Sequence, residues 1–553
     1  MVVTQKQEIN GRNPRPVIGV LLSHFRGQYQ LELYSGIEYE AARQDVNLIT
    51  IAGRSLNAPL QGDRIQNGIY ELIEPRCFDG FIVPSLLFNH TDAEESQRFL
   101  ERLAGIPVVT VNFALSGLPA ICIDTAAGFR ALITHLIEVH GARAFAFIGG
   151  PSLSPDACER YTVFHKVVSE YNIPYTDSFT VEGDFSYNSG KKAVAVLFDE
   201  RGVDPEAIDT IVAASDLMAL GVIDGLSERG IRVPGDMIVT GFDDIPDARL
   251  NSPSLTTVRQ PAFQAGRKAV MSLLDPAAVP QSLALPTSFI KRESCGCRQT
   301  EKSLKEQDAG ELAPEEIMRP ASEFFVYQLI YVSDALRDTQ SMEELYTWLR
   351  NSLPDLGINE GSLFLYTGTG EPTSSFDLAL SFGKDSADRS RKKRRLEFMS
   401  VMKEMLSGHS RCSKCMLPLA FGGKHFGFLL LSVNLKAWIA YESVRSQISS
   451  CLSSVFLMEE IGRINRSLEK ANRKLKNADE QKTRFFINIA HETKTPLTLI
   501  KNYMEKYMKS HRADPDLLVI RQNIDILLSN MVNFLDAKKL ERGVTVYNHD
   551  RIT

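Results

Sequence analysis

Long apolar runs are missing from this 553-residue chain. No stretch approaches the ~18 consecutive apolar residues that a membrane-spanning helix needs. The opening residues, M-V-V-T-Q-K-Q-E-I-N-G-R-N, lack the apolar centre of a secretory signal. Both absences point to a cytoplasmic chain without membrane contact, whose signal comes from inside the cell. Cysteine is sparse too, at 8 residues, too few for a disulfide scaffold. Positive charge is not in excess: the net charge of −6 argues against a nucleic-acid coat or a polybasic anchor. Hydrophobic residues still make up 44% of the chain, enough for several cores, and the length fits about three or four domains.

From Val17 the text alternates strands and helices. V-I-G-V-L-L leads to an amphipathic run over Tyr34–Arg43, then to N-L-I-T-I-A-G, F-D-G-F-I-V-P, I-P-V-V-T-V-N and A-R-A-F-A-F-I-G-G-P. T-I-V-A-A-S-D and M-I-V-T-G-F-D-D follow. Short continuous apolar strands separated by helices predict parallel sheets covered on both faces. Two in tandem make two lobes with a cleft, and ligands of open α/β sheets sit at the carboxyl ends of the strands.

The runs A-S-D-L-M-A-L-G, I-R-V-P-G-D-M-I-V-T-G-F-D-D-I-P and S-P-S-L-T-T-V-R-Q-P resemble the effector-binding core of lac-repressor-type regulators. I-D-T-A-A-G, H-G-A-R-A-F-A-F-I-G-G-P and G-D-F-S-Y-N-S-G add to the resemblance, which covers residues 15–298. It implies a two-lobed, periplasmic-binding-protein-like sensor for a small polar ligand such as a sugar or nucleobase. Carried over by position, it implies ligand contacts from Asp124, Arg160, Phe185, Asp216 and Asp243. Carboxylates and an arginine can bond hydroxyls, and an aromatic face can cover a sugar ring. The plainer reading is that Asp216 and Asp243 cap the helices that follow them. Two departures stand out: only about 14 residues precede Val17 where the family carries its helix-turn-helix, and an asparagine-aspartate pair is replaced by Ser215-Asp216. The first leads us to expect no direct DNA binding.

Residues 1–14 read as a disordered start and 299–318 as a polar linker. Cys295 and Cys297, with Cys412 and Cys415, have ligand-like spacings. More than a hundred residues separate the two pairs, so they read as unlinked thiols and no metal is expected. Within 319–458 the pattern is a helix over Phe324–Asp338, M-E-E-L-Y-T-W-L, a strand S-L-F-L-Y, a polar insert and C-M-L-P-L-A-F-G-G-K-H-F-G-F-L-L-L-S-V, with a closing helix from about Tyr441. An antiparallel sheet with helices on one side fits, and the pattern resembles a GAF domain. The basic run Arg389–Arg395 reads as a solvated loop. T-G-T-G at Thr367–Gly370 lacks the lysine and helix of a phosphate loop.

Over 459–482, Ile461, Ile464, Leu468, Ala471, Leu475 and Ala478 step by 3 and 4, the seam of a parallel coiled coil. In 483–543 a second helix after Asp514-Pro515 repeats the spacing at Ile520, Ile524, Leu527, Met531 and Phe534. Two such hairpins would build a dimeric four-helix bundle. Its first helix carries F-F-I-N-I-A-H-E-T-K-T-P-L-T. His491 lies about 200° round the helix from Ile489, so it stays in water while Phe486, Ile489 and Ile500 face inward. A neutral imidazole can attack phosphorus, a neighbouring carboxylate can take its proton, and Thr495 can position a water. A zinc-protease motif is excluded because the second histidine is a threonine.

That string resembles the phosphoacceptor box of sensor histidine kinases. The resemblance implies His491 as phosphoacceptor, Glu492 as acid/base and Thr495 for a phosphatase water. The tail 544–553 leaves no room for an ATPase domain, so ATP-Mg would act only through a catalytic domain outside this chain. The resulting expectation is a multidomain α/β homodimer: a cytoplasmic two-component kinase, or its front end, with a sugar-like ligand, a response-regulator receiver domain and an ATPase domain in trans as partners. The alternative is a non-catalytic, ligand-binding transcriptional regulator acting through protein partners. Nothing in the sequence names the ligand.

Overall fold

The apolar runs fold into the parallel strands their composition predicts. The computed structural model describes residues 15–298 (116 excepted), 330, 333–336, 339–370, 375–383, 395–406, 410–511 and 514–541. The expectations for 1–14, 299–318, most of Phe324–Asp338, the basic run up to 394 and 544–553 lie outside the described residues. The described chain divides into two units, Met1–Val455 and Phe456–Thr553.

The first lobe is a parallel sheet of β1 (Val17–Leu22), β2 (Asn47–Ala52), β3 (Gly80–Pro84), β4 (Val108–Val111) and β5 (Ala120–Asp124). The second lobe holds β6 (Phe145–Gly149), β7 (Thr180–Glu182), β8 (Thr210–Ala213) and β9 (Ile238–Thr240), also parallel, in the order β7-β6-β8-β9. β10 (Thr257–Arg259) pairs with β12 (Ser288–Ile290), while β11 (Ser282–Pro286) returns to the edge of the first sheet beside β5. Every residue of β1, β3 and β6 is buried, as a sheet covered on both faces requires.

The helices are α1 (Gln28–Arg43), α2 (Gln61–Arg64), α3 (Ala93–Glu101), α4 (Thr125–Val139), α5 (Pro155–Glu170), α6 (Tyr187–Ala195), α7 (Asp216–Ser227), α8 (Pro246–Leu250) and α9 (Ala262–Leu274). α1 is longer than Tyr34–Arg43 because its first turn, Gln28–Leu31, is polar on one side and invisible to an apolar pattern. α1 and α9 touch backbone to side: a Cβ on Gly36 would lie 1.9 Å from the carbonyl oxygen of Phe263.

The rest of this unit is α+β, as the pattern of 319–458 predicts. It has α10 (Met342–Asp355), β13 (Gly361–Gly370), β14 (Ser375–Phe382), β15 (Arg395–Glu397), α11 (Phe398–Leu406), β16 (Ser413–Phe421), β17 (Lys424–Ser432) and the start of α12 (Trp438–Ser510). β16 and β17 form a hairpin across Gly422 and Gly423, both at positive φ, the backbone a tight hairpin turn demands. Thr367–Gly370 lies in β13, not in a loop.

What the sequence did not predict is where this sheet goes. β16 adds in parallel to β2, with Ser413 opposite Leu48 and Met416 opposite Ile51. The strands run β11-β5-β4-β3-β1-β2-β16-β17-β13-β14-β15 as one sheet of 11. A single apolar core continues from Leu21, Ile51 and Phe81 to Phe364, Phe376 and Phe428. The boundary at 298/319 is therefore a boundary in the sequence and not in the packing.

In the second unit, α13 (Pro515–Glu541) folds back antiparallel on the remainder of α12. Phe486 meets Phe534 with ring centroids 5.9 Å apart, and Lys501 pairs with Asp525 at 2.8 Å. Ala490, Ile524 and Leu535 are buried, but Ile461, Ile464, Leu468 and Leu475 are exposed. No helix among the described residues is long and apolar enough to cross a membrane.

Candidate functional site

The carboxyl ends of the strands of both lobes converge, and their loops carry the polar residues. α5 delivers Asp156 and Arg160 from the second lobe. Asp156 accepts a hydrogen bond from Ser85, just past β3, at 2.9 Å, and another from the Asn112 amide, just past β4. The lobes therefore meet through one buried carboxylate. Burial raises the pKa of Asp156, while Arg160, Ser85 and Asn112 hold it down. Thr125 bonds Glu159 at 3.0 Å and Ser154 bonds Asn89 at 3.2 Å beside it. An interlobe recess of 350 Å³ opens next to these contacts, lined by Asn112, Cys122, Pro155 and Glu159 among others.

Arg160 and Asp243 face one another. Asp243 follows β9 at φ 125°, an uncommon backbone state for a non-glycine residue. Its Oδ1 lies 3.7 Å from Arg160 Nη2 and accepts from Gln260 Nε2 at 2.6 Å. Burial pushes its carboxyl up to about 6, against the pull of Arg160 and Gln260. Arg160 Nη1 donates to the carbonyl of Ala214 at 2.6 Å, and its guanidinium lies 4.0 Å from the centre of the Phe242 ring and 5.6 Å from that of Phe185. Phe185 also has positive φ, 65°. Arg160 Nε is buried and has no hydrogen-bond partner among the described residues. The same is true of Tyr29 Oη, from the first turn of α1. Asp156, Arg160 and Asp243 all act electrostatically on that phenol, and burial raises its pKa strongly.

Three of the five sequence-predicted ligand residues, Arg160, Phe185 and Asp243, thus come together. The other two do different work. Asp124 caps α4, its Oδ1 accepting from the backbone of Ala126 at 3.0 Å and Ala127 at 3.3 Å. Asp216 is fully buried, accepting from Thr257 Oγ1 at 2.5 Å and from the backbone of Ile245 at 2.9 Å. Ser215, not Asp216, caps α7. Desolvation, with Asp243 adding to it, pushes Asp216 up to about 8. Asp243 caps no helix either. Sequence reasoning missed Tyr29, Ser85, Asn112, Asp156 and Gln260. Ser85 and Asn112 had a usable signal, since each directly follows an apolar strand.

His491 and Glu492 are exposed on α12, and the Thr495 hydroxyl donates to the backbone carbonyl of His491 at 3.3 Å. Thr495 is thus engaged with its own helix.

Residues 133–295 match the model of the periplasmic binding protein-like domain. The chain is 28% identical over 264 residues to the HTH-type transcriptional repressor PurR of Haemophilus influenzae, covering 48% of this chain and 74% of that protein. It is 28% identical to the catabolite control protein A of Priestia megaterium over 46% of this chain and 73% of that one. It is 27% identical to the HTH-type transcriptional repressor CytR of Escherichia coli, over 48% and 73%. Among solved structures, the transcriptional regulator CelR–cellobiose complex aligns with a TM-score of 0.43 at 27% identity, over 51% of this chain and 86% of that chain. Residues 133–295 thus match a periplasmic-binding-protein-like domain, and the two-lobed region is similar in sequence to these transcriptional regulators. These relatives correct the expectation of a two-component histidine kinase: they are transcriptional regulators, whereas the kinase reading rested on the string around His491 together with the coiled-coil seam and hairpin spacing.

Proposed function

We propose that this chain is a non-catalytic regulator that binds a small polar molecule between its lobes and passes the result to protein partners. One observation carries the reading. Tyr29 Oη and Arg160 Nε are buried between the lobes without partners among the described residues, in a site that also holds the Asp243 carboxylate. Leaving such groups unsatisfied costs about 1–3 kcal/mol each, and a hydroxyl-rich ligand would restore the bonds. A sugar fits that pattern, with hydroxyls for Asp243 and Arg160 and a ring face for Phe185. The repressor names of the relatives support a role in transcription.

The ligand signal would leave through the first lobe, because β2 shares a sheet with β16. Ligand can shift that arrangement only by binding its two states with different affinity. The exposed seam of Ile461, Ile464, Leu468 and Leu475 supports a second copy of the chain as one partner.

The test is calorimetric titration of the full chain with a panel of sugars and nucleobases, repeated with Arg160→Ala and Asp243→Asn. We expect one chemical class to bind wild type and to lose about tenfold or more in each variant, the scale of a hydrogen bond to a charged group. Binding that survives both substitutions unchanged would place the ligand elsewhere and defeat the reading.

A further inference from the structure

Four potential metal ligands from distant parts of the chain meet on the second lobe, away from the interlobe site. His135 lies in the last turns of α4, and His140 is the residue that ends the helix. Five positions apart on a continuous helix, the two would point in different directions. The chain leaves the helix after Val139, which turns the His140 ring back onto His135, their Nε2 atoms 3.2 Å apart. Cys295 and Cys297 come from the short turn after β12. Gly296 between them has φ 96°, a left-handed backbone that lets both flanking thiols face one side. A Cβ on Gly296 would lie 3.5 Å from the His140 ring, so this turn packs directly on the histidine.

We propose that His135, His140, Cys295 and Cys297 form a tetrahedral site for a zinc-class divalent metal ion. Their ligand atoms all lie within 4.8 Å of one another. Cys297 Sγ is 3.4 Å from His135 Nε2 and 3.3 Å from His140 Nε2, and Cys295 Sγ is 3.9 Å from His135 Nε2. Zinc bonds of about 2.0–2.1 Å to nitrogen and 2.3 Å to sulfur set nitrogen–nitrogen edges near 3.3 Å and nitrogen–sulfur edges near 3.6 Å in a tetrahedron. The three nitrogen–sulfur distances straddle that edge, and the nitrogen pair matches its own. Four protein ligands with no open position make a structural site and not a catalytic one. Cys295 is buried and already placed, its thiol donating to the carbonyl oxygen of Arg292 at 3.3 Å, a proton that metal binding would displace. The alternative pairing with Cys412 and Cys415 suggested by spacing is not what the fold assembles. Bound metal would clamp the end of α4 to the last turn before residue 298 and so fix the place where the chain leaves the lobe.

The experiment uses the full chain, purified without a polyhistidine tag, first assayed for zinc and then stripped and refilled with Co²⁺. We expect about one metal per chain, with the intense near-ultraviolet thiolate-to-cobalt band and visible absorption of a tetrahedral two-sulfur site. Cys297→Ser should lower affinity at least about 100-fold, and Cys412→Ser should leave it unchanged. Should Cys297→Ser fail to fold, wild type still decides: zinc should protect Cys295 and Cys297 from alkylation, as read by peptide mass, and a chelator should abolish that protection. Wild type without the thiolate band, an unaltered band in Cys297→Ser, or a Cys295–Cys297 disulfide in place of metal would each overturn the proposal.

Discussion

Arg54 in the first lobe donates from both terminal guanidinium nitrogens to Glu442, 388 residues further along the chain, Nη1 to Oε1 at 3.0 Å and Nη2 to Oε2 at 2.7 Å. Arg54 also holds Asp63 at 3.0 Å, and Arg445 reaches the same Glu442 at 3.2 Å. The backbone N–H of Phe25 donates to Glu442 as well, and the Phe25 ring packs 4.7 Å from Trp438. The ligand-binding lobe and the start of α12 are thus joined by a bidentate ion pair inside an aromatic contact.

Glu442→Ala should destabilise the first unit by about 3–5 kcal/mol, because Arg54 and Arg445 would be left buried without their carboxylate. The ion pair with Arg54 outweighs burial and holds the Glu442 carboxyl down at about 2, below its usual 4.5. The stability this contributes is complete above about pH 4.5 and is lost as the pH falls toward 2. Acid melting curves of wild type and Glu442→Gln should converge over that window. Parallel curves would show that the pair contributes nothing pH-dependent.

Asp216 should behave with the opposite sign. Its carboxyl is raised to about 8, so its contribution is complete below pH 3.8 and declines as the pH rises through 8. Asp216→Asn should flatten this decline in thermal melts between pH 4 and 8. At low pH it should match wild type closely, since the amide can donate from Nδ2 to the Thr257 hydroxyl oxygen and accept from the Ile245 N–H through Oδ1, as the protonated acid does.

Tyr29→Phe separates stability from binding. The hydroxyl has no partner among the described residues, so removing it should leave the ligand-free chain as stable as before or up to about 1–3 kcal/mol more stable. Affinity for the ligand should fall by about three- to tenfold, the value of one neutral hydrogen bond. Melting of the free protein and calorimetry of the bound one measure the two effects; unchanged affinity would remove Tyr29 from the site.

Gly36→Ala should cost about 1–3 kcal/mol or more, read as a lower denaturation midpoint. The new methyl would fall 1.9 Å from the Phe263 carbonyl oxygen, a rigid backbone atom, so α1 and α9 must separate. Full stability in this variant would mean the two helices can shift without loss.

Local pattern made the strands of both lobes legible, because a buried parallel strand must be apolar throughout. It also misled, since the string around His491 resembles a phosphoacceptor box while the relatives of the first half of the chain are transcriptional regulators. Arg160, Phe185 and Asp243 could be placed by position along the chain. Tyr29 and Asp156 could not, because their importance lies in which atoms the closed lobes leave buried. The sequence by itself determined where strands, helices and turns occur, since these follow from apolar periods and backbone preferences within a few residues. Tertiary structure alone decided that β2 accepts β16 on its open edge, that Asp216 is an interior tie, and that two histidines meet two cysteines some 160 residues away. Edge hydrogen bonds, desolvation and ligand geometry depend on distances through space, and no local pattern in the chain encodes those.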